Sequence, residues 1–130
     1  MFSRRAILIG ISIAAAMLST AAPAIEKQNF DASVFAAAQQ AGKSIFVEIH
    51  ATWCPTCKAQ APILSKLEED PKFKDLVVFH VDFDSQKEAV KSFGAQMQST
   101  LIAFKGTKET ARSVGDTNPE SIAALLNSAI

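Results

Sequence analysis

Two runs rich in β-branched and aromatic residues, "SIFVEIH" at Ser44–His50 and "LVVFHVDFD" at Leu76–Asp84, flank a stretch with apolar residues at helical spacing. In that stretch, "CPTCKAQAPILSKLEED", Ile63, Leu64 and Leu67 share a face, and Pro62 removes one backbone donor and should kink the helix. Strands joined through a helix pair in parallel across a crossover.

The flanking segments extend this unit. "NFDASVFAAAQQAGK" reads as a helix after a short leader, with Asp31 as N-cap, Val34, Phe35 and Ala38 on one face, and Gly42 as the stop. "SQKEAVKSFG" is a short helix capped by Ser85 with Glu88 as its box partner, stopping at Gly94. "STLIAFKG" is a third strand that turns at Gly106 into "KETARSVG", its hairpin partner. "NPESIAALLNSAI" closes as a helix with Asn118 as cap and Pro119 in the first turn. This order predicts an α/β fold: a central mixed β-sheet flanked by helices, its first strands parallel and its hairpin antiparallel.

The first residues are of another kind. Arg4 and Arg5 precede the uncharged apolar run Ala6–Leu18, and Ala22-Pro23-Ala24 has the small-residue form of a signal-peptidase site. We read residues 1–24 as a secretory signal peptide cleaved after Ala24 and residues 25–130 as one domain, placed in the periplasm or otherwise exported. An uncleaved, membrane-anchored form is the alternative, although the run is short of the roughly 18–20 residues of a spanning helix. "SRRAIL" leaves a twin-arginine route open.

The full chain carries 13 basic and 13 acidic residues; losing Arg4 and Arg5 leaves 11 against 13, a net charge near −2. With no basic stripe, nucleic acid is not an expected partner. Export places the chain where disulfides form and persist.

The chain's only two cysteines, Cys54 and Cys57, lie where the strand runs into the helix. Unpaired N–H groups and the positive end of the helix dipole there stabilise a thiolate on Cys54, and thiolates attack disulfides. Cys57, one turn in, is placed to resolve the mixed disulfide. Pro55 suits the first helical position, and Pro55-Thr56 between the cysteines tunes their poise. Two other uses compete. A structural zinc site wants four ligands, and His50 and His80 could complete Cys2His2, but they lack the H-x₃₋₅-H spacing. A purely structural staple closes too small a loop to remove much unfolded-state entropy.

"FVEIHATWCPTCKAQAPIL" resembles the active-site segment of the thioredoxin superfamily: a buried strand with an acidic residue, then W-C-x-x-C-K, then a proline five residues after the second cysteine. The similarity continues through "LVVFHVDFD", "STLIAFKG" and "VGDTNPESIAALLNSAI". It implies a thioredoxin-like fold with the active site at a strand-to-helix junction. It implies that Cys54 attacks and Cys57 resolves, that Trp53 shields the couple and shapes the docking surface, and that Glu48 takes and returns the proton of the resolving thiol. His80 falls where thioredoxins often carry a Lys beside that acid, and Gly115 where a substrate backbone passes close. A carboxyl in an apolar strand should have a raised pKa; the competing reading is an edge carboxylate facing water.

One departure stands out. Ser99, ahead of Thr100, occupies the place of the cis-proline that faces the cysteines in thioredoxins. A non-proline cis bond costs about 3–4 kcal/mol, so the loop is either trans, or cis and strained. That proline also keeps metals off the cysteines.

The expected function is thiol–disulfide exchange with exported proteins through the Cys54/Cys57 couple, leaning toward a reductase fed by a membrane thiol donor. A disulfide oxidant or isomerase is the alternative, and a copper or other soft-metal carrier using Cys54 and Cys57 is the alternative of another class. No organic cofactor and no resident metal are expected, and the mature domain is expected to be a monomer.

Overall fold

The computed structural model of the protein describes residues 15–17 and 25–130. The expected signal peptide and its cleavage site lie outside the described residues apart from 15–17. No helix among the described residues is long and apolar enough to cross a membrane.

The elements run β1 (Glu26–Asn29), α1 (Ala32–Gln40), β2 (Ser44–His50), α2 (Pro55–Glu68), a 3-10 turn (Pro71–Phe73), β3 (Val77–Asp82), α3 (Lys87–Ser92), β4 (Thr100–Lys105), β5 (Lys108–Val114) and α4 (Pro119–Asn127). They form one mixed sheet in the order β1-β3-β2-β4-β5. β1, β3 and β2 are parallel, and β4 and β5 add antiparallel pairs. α2 is the crossover between the paired strands β2 and β3, as the alternation of periods implies, and α1 joins β1 to β2, which flank β3 on either side.

The side-chain period of two sends alternate β2 residues to opposite layers. Phe46, with Val78 of β3 and Leu101 of β4, packs under Leu64 of α2 and Ile122, Leu125 and Leu126 of α4. Ile45, Val47 and Ile49, with Phe79 and Val81, face the other layer, where Phe35 and Ala38 of α1 and Val90 of α3 cover them. The fully buried large side chains among them, such as Phe46, Phe79, Ile45 and Ile122, each contribute roughly 1.5–3 kcal/mol of transfer free energy. In the second layer Phe30, Phe35, Phe79, Phe93 and Phe104 form an edge-to-face and tilted network, with Phe35 5.2 Å from Phe93 and 5.5 Å from Phe79. Such pairs add about 0.5–1.5 kcal/mol beyond burial.

Four details differ from the sequence reading. The short leader contains β1, whose residues "EKQN" lack apolar alternation because the strand lies at the sheet edge and is largely exposed. Val34 is 42 % exposed; the inward face of α1 is Phe35, Ala38 and Gln39. α2 runs on past Pro62 to Glu68 without a break. Ser85 does not cap α3: the Asp82 carboxylate accepts from the Asp84 and Ser85 N–H groups instead. Gln86 stands at the N-cap position and spends its side chain elsewhere, accepting from Asp82 N–H and donating to the Phe30 carbonyl. That side chain ties β3 to the entry of α1.

Candidate active site

Buried β2 ends at His50, and the chain turns through Ala51–Trp53 before α2 begins at Pro55. The turn closes with Cys54 N–H donating to the Ala51 carbonyl at 3.2 Å. Cys54 is the N-cap of α2, and its Sγ accepts from Cys57 N–H at 3.0 Å. One orphan donor of the helix end is therefore aimed at the sulfur that would carry the thiolate. Cys54 and Cys57 form a disulfide with Cα atoms 5.3 Å apart. Ala51 and Phe83 are their packed apolar neighbours.

Exposure at the pair has a direction of its own. Cys54 is fully covered in the disulfide form, whereas Cys57 keeps 8 %. Any reaction at the Cys54 sulfur therefore requires the covering groups to move. Trp53 is 54 % exposed, its indole N–H held by the Asp84 carboxylate at 2.8 Å. Pro55 is exposed at the first helical position, and Thr56 is half-buried.

On β2, Glu48 is 8 % exposed, so it is no edge carboxylate facing water. The parallel register sets it opposite His80 of β3, with Glu48 Oε2 3.5 Å from His80 Nε2. Burial raises the Glu48 pKa from 4.5 to about 7; the nearby Lys27 ammonium opposes this and Glu68 adds to it. Burial also lowers the His80 pKa from 6.5 to about 4, helped by Lys27 and His50. The distance alone would fit an ion pair. Desolvation decides otherwise: near neutrality His80 is uncharged and Glu48 lies close to half-ionised. The His50 ring meets His80 edge-on at 5.3 Å, and its buried Nδ1 has no hydrogen-bond partner among the described residues. The Cys2His2 set is not assembled. Among the described residues, no three His, Cys, Asp or Glu side chains converge to hold a metal ion.

Ser99 settles at trans with φ 57; no described peptide bond is cis. It is 5 % exposed, and its carbonyl accepts from Gly115 N–H at 3.0 Å. Gly115, at φ 70, has open space where a Cβ would stand. Thr100, 1 % exposed, donates its hydroxyl to the Met97 carbonyl at 2.6 Å. Because Ile49 pairs with Thr100, this turn lies at the end of the sheet where β2 runs into the Cys54 turn.

Sequence reasoning passed over three residues here. Lys27, on the unrecognised β1, bridges to Glu68 at 2.9 Å and acts on the Glu48–His80 pair. Asp84 tethers Trp53. Gln60 is buried on α2 and bonds to Ser99 and Asp116. The available signal for Gln60 was a polar residue in the same helical phase as Cys57 and Leu64.

The strand–turn–helix site and its sheet have close counterparts. The thioredoxin family model matches residues 21–128. The chain is 36 % identical over 90 residues to an H-type thioredoxin of Brassica campestris, covering 69 % of this chain and 72 % of that one. It is 31 % identical over 97 residues to thioredoxin Asp f 29 of Aspergillus fumigatus, covering 74 % and 87 %. The structure of Trxlp from Edwardsiella tarda superposes with a TM-score of 0.75 at 38 % identity, over 78 % of this chain and 98 % of that one. With fold, disulfide and relatives in agreement, the chain belongs to the thioredoxin family, as a thiol–disulfide oxidoreductase with the Cys54–Cys57 pair.

Proposed function

We propose that the protein reduces disulfides in exported proteins, passing electrons from a membrane thiol donor through Cys54 and Cys57. The observation that carries the exchange chemistry in this reading is the helix-end N–H of Cys57 on the Cys54 sulfur. The basic head, apolar run and small-residue site of residues 1–24 support export, and the thioredoxin relatives support the direction.

The Cys54 thiolate attacks one sulfur of the partner disulfide, forming a mixed disulfide and releasing the partner's other sulfur as a thiolate. Cys57 gives its proton to the Glu48 carboxylate, which a pKa of about 7 makes an acceptor near neutrality. Its thiolate then attacks Cys54 Sγ, closing the Cys54–Cys57 disulfide and releasing the second partner thiolate. A donor dithiol returns the two electrons. His80 tunes Glu48, Trp53 and Gly115 border the docking surface, and the couple belongs to the protein itself.

A second reading, an oxidant or isomerase, draws on the same hydrogen bond, because stabilising the Cys54 thiolate stabilises the reduced form. The reduction potential separates them. Trp53, the only tryptophan, adjoins Cys54 and reports the titration in a thiol–disulfide buffer with chelator present. A value near roughly −270 mV supports the reductase; one near about −120 to −180 mV reverses the direction.

A further inference from the structure

Gln60 has 1 % exposure on the inward face of α2. Burying an amide is unfavourable unless its polar atoms find partners. Its Nε2 donates to the Ser99 carbonyl at 3.3 Å and to the Asp116 carbonyl at 2.9 Å. The two acceptors belong to separate connections, one entering β4 and one entering α4. A single side chain on the helix of the cysteines therefore holds both turns.

Ser99 is the more demanding of the two. At φ 57 it occupies the left-handed region, which a residue with a Cβ enters at a cost and keeps only when its surroundings hold it. Here the carbonyl is held twice, by Gly115 N–H and by Gln60. The Thr100 hydroxyl on the Met97 carbonyl closes the same turn from the other side. Beside that turn stand Met97, 51 % exposed, and half-buried Gln98, whose backbone N–H and C=O bond to no other described residue. An extended polypeptide has main-chain groups to pair with such a free edge, and a small disulfide does not.

We propose that Gln60 is a positioning residue for partner recognition: its amide holds Ser99 in the left-handed turn, which presents the Gln98 backbone to the main chain of a polypeptide disulfide. It acts through the turn rather than on the reacting sulfurs. The assignment rests on the disulfide exchange proposed above and adds the residue that sets how strongly the cleft prefers polypeptide disulfides.

The test follows Trp53 fluorescence in the reduced full chain as it is oxidised by insulin and, separately, by hydroxyethyl disulfide. Gln60→Met keeps the length and apolar stem of the side chain and removes the donor. It should lower the preference for insulin over the small disulfide about tenfold, the worth of one buried hydrogen bond, mainly through half-saturation. Ser99→Val places a β-branched residue where φ is positive and breaks the same turn. The Gln60→Met/Ser99→Val double variant should therefore lose no more than the larger single loss. Gln60→Glu supplies a second readout: its neutral carboxyl donates one hydrogen bond and its ionised form none. The preference for insulin should then recover as pH falls. Equal slowing of both disulfides by Gln60→Met, multiplied losses in the double variant, or a pH-independent preference in Gln60→Glu would each overturn the assignment. If the wild-type chain oxidised with neither disulfide, the exchange reading itself would fail first.

Discussion

Glu48 and His80 together make a pH-dependent prediction that neither makes alone. In the unfolded chain, between their ordinary values of 4.5 and 6.5, the carboxyl is ionised and the imidazole protonated. In the fold, with values of about 7 and about 4, the one proton sits on the carboxyl and the imidazole is neutral. The pair binds the same number of protons in both states, so its joint contribution to stability is nearly level across that interval. Removing either partner unmasks the other.

The two unmasked slopes have opposite signs. Glu48 has a raised folded pKa, so its contribution is complete below about 4.5 and is lost as pH rises through about 7. His80 has a lowered one, so its contribution is complete above about 6.5 and is lost as pH falls through about 4. Moving a carboxyl from 4.5 to about 7, at about 1.4 kcal/mol per pH unit, amounts to about 3 kcal/mol. Glu48→Gln should therefore gain about 3 kcal/mol relative to wild type between about pH 4 and pH 8. His80→Asn should fall relative to wild type as pH rises from about 4 to 6.5, by less, because 26 % of the His80 side chain meets solvent. Urea unfolding of the oxidised chain, followed by circular dichroism across this range, measures both differences; titrations common to all variants cancel. A Glu48→Gln difference that stays constant, or declines as pH rises, would show Glu48 ionised in the fold and refute the reasoning.

Other expectations are more direct. Cys57→Ala should trap mixed disulfides with partners and Cys54→Ala should abolish turnover, both read by non-reducing electrophoresis and a protein-disulfide assay; trapping by Cys54→Ala instead would invert the two roles and match the 8 % exposure of Cys57. Glu48→Ala should slow exchange more at neutral pH than at high pH, where the resolving thiol ionises unaided; stopped-flow traces slowed equally at both would make Glu48 a packing residue. Phe79→Ala, at a fully buried site of the aromatic network, should cost about 3–5 kcal/mol by urea denaturation while leaving the reduction potential in place.

The sequence made the interior legible and the edge obscure. β2 and β3 are buried on both faces, so their apolar runs are near-continuous and stand out from any helical period. The helix ends were legible where a side chain caps them: Asp31 accepts from Ser33 and Val34 N–H, and Asn118 from Glu120 and Ser121 N–H. β1 has no such pattern, because its pairing with β3 is a property of backbone groups that every residue carries. Ser85 misled for a related reason: α3 starts one residue later, with Gln86 at the N-cap position, and Ser85 lies in the turn that the Asp82 carboxylate closes. At the site, the cysteines, Glu48 and its partner His80 could be placed from spacing and resemblance. The conformation at Ser99 could not, since trans and left-handed is a choice enforced by Gln60 and Gly115 from remote parts of the chain.

The position of β1 also constrains processing. Its first paired residue is Glu26, opposite Val77, so the expected cut after Ala24 leaves a single residue between the new terminus and the sheet. A protease needs an extended, accessible stretch on both sides of the bond it cuts, and β1 needs the same stretch to lie against β3. If residues 1–24 are a signal peptide cut after Ala24, cleavage and docking of β1 compete for one segment, and the cut has to come before that edge closes. If the same residues instead stayed on as a membrane anchor, the chain would join them one residue ahead of β1, and the anchor would act on the edge strand of the sheet that carries the cysteine pair.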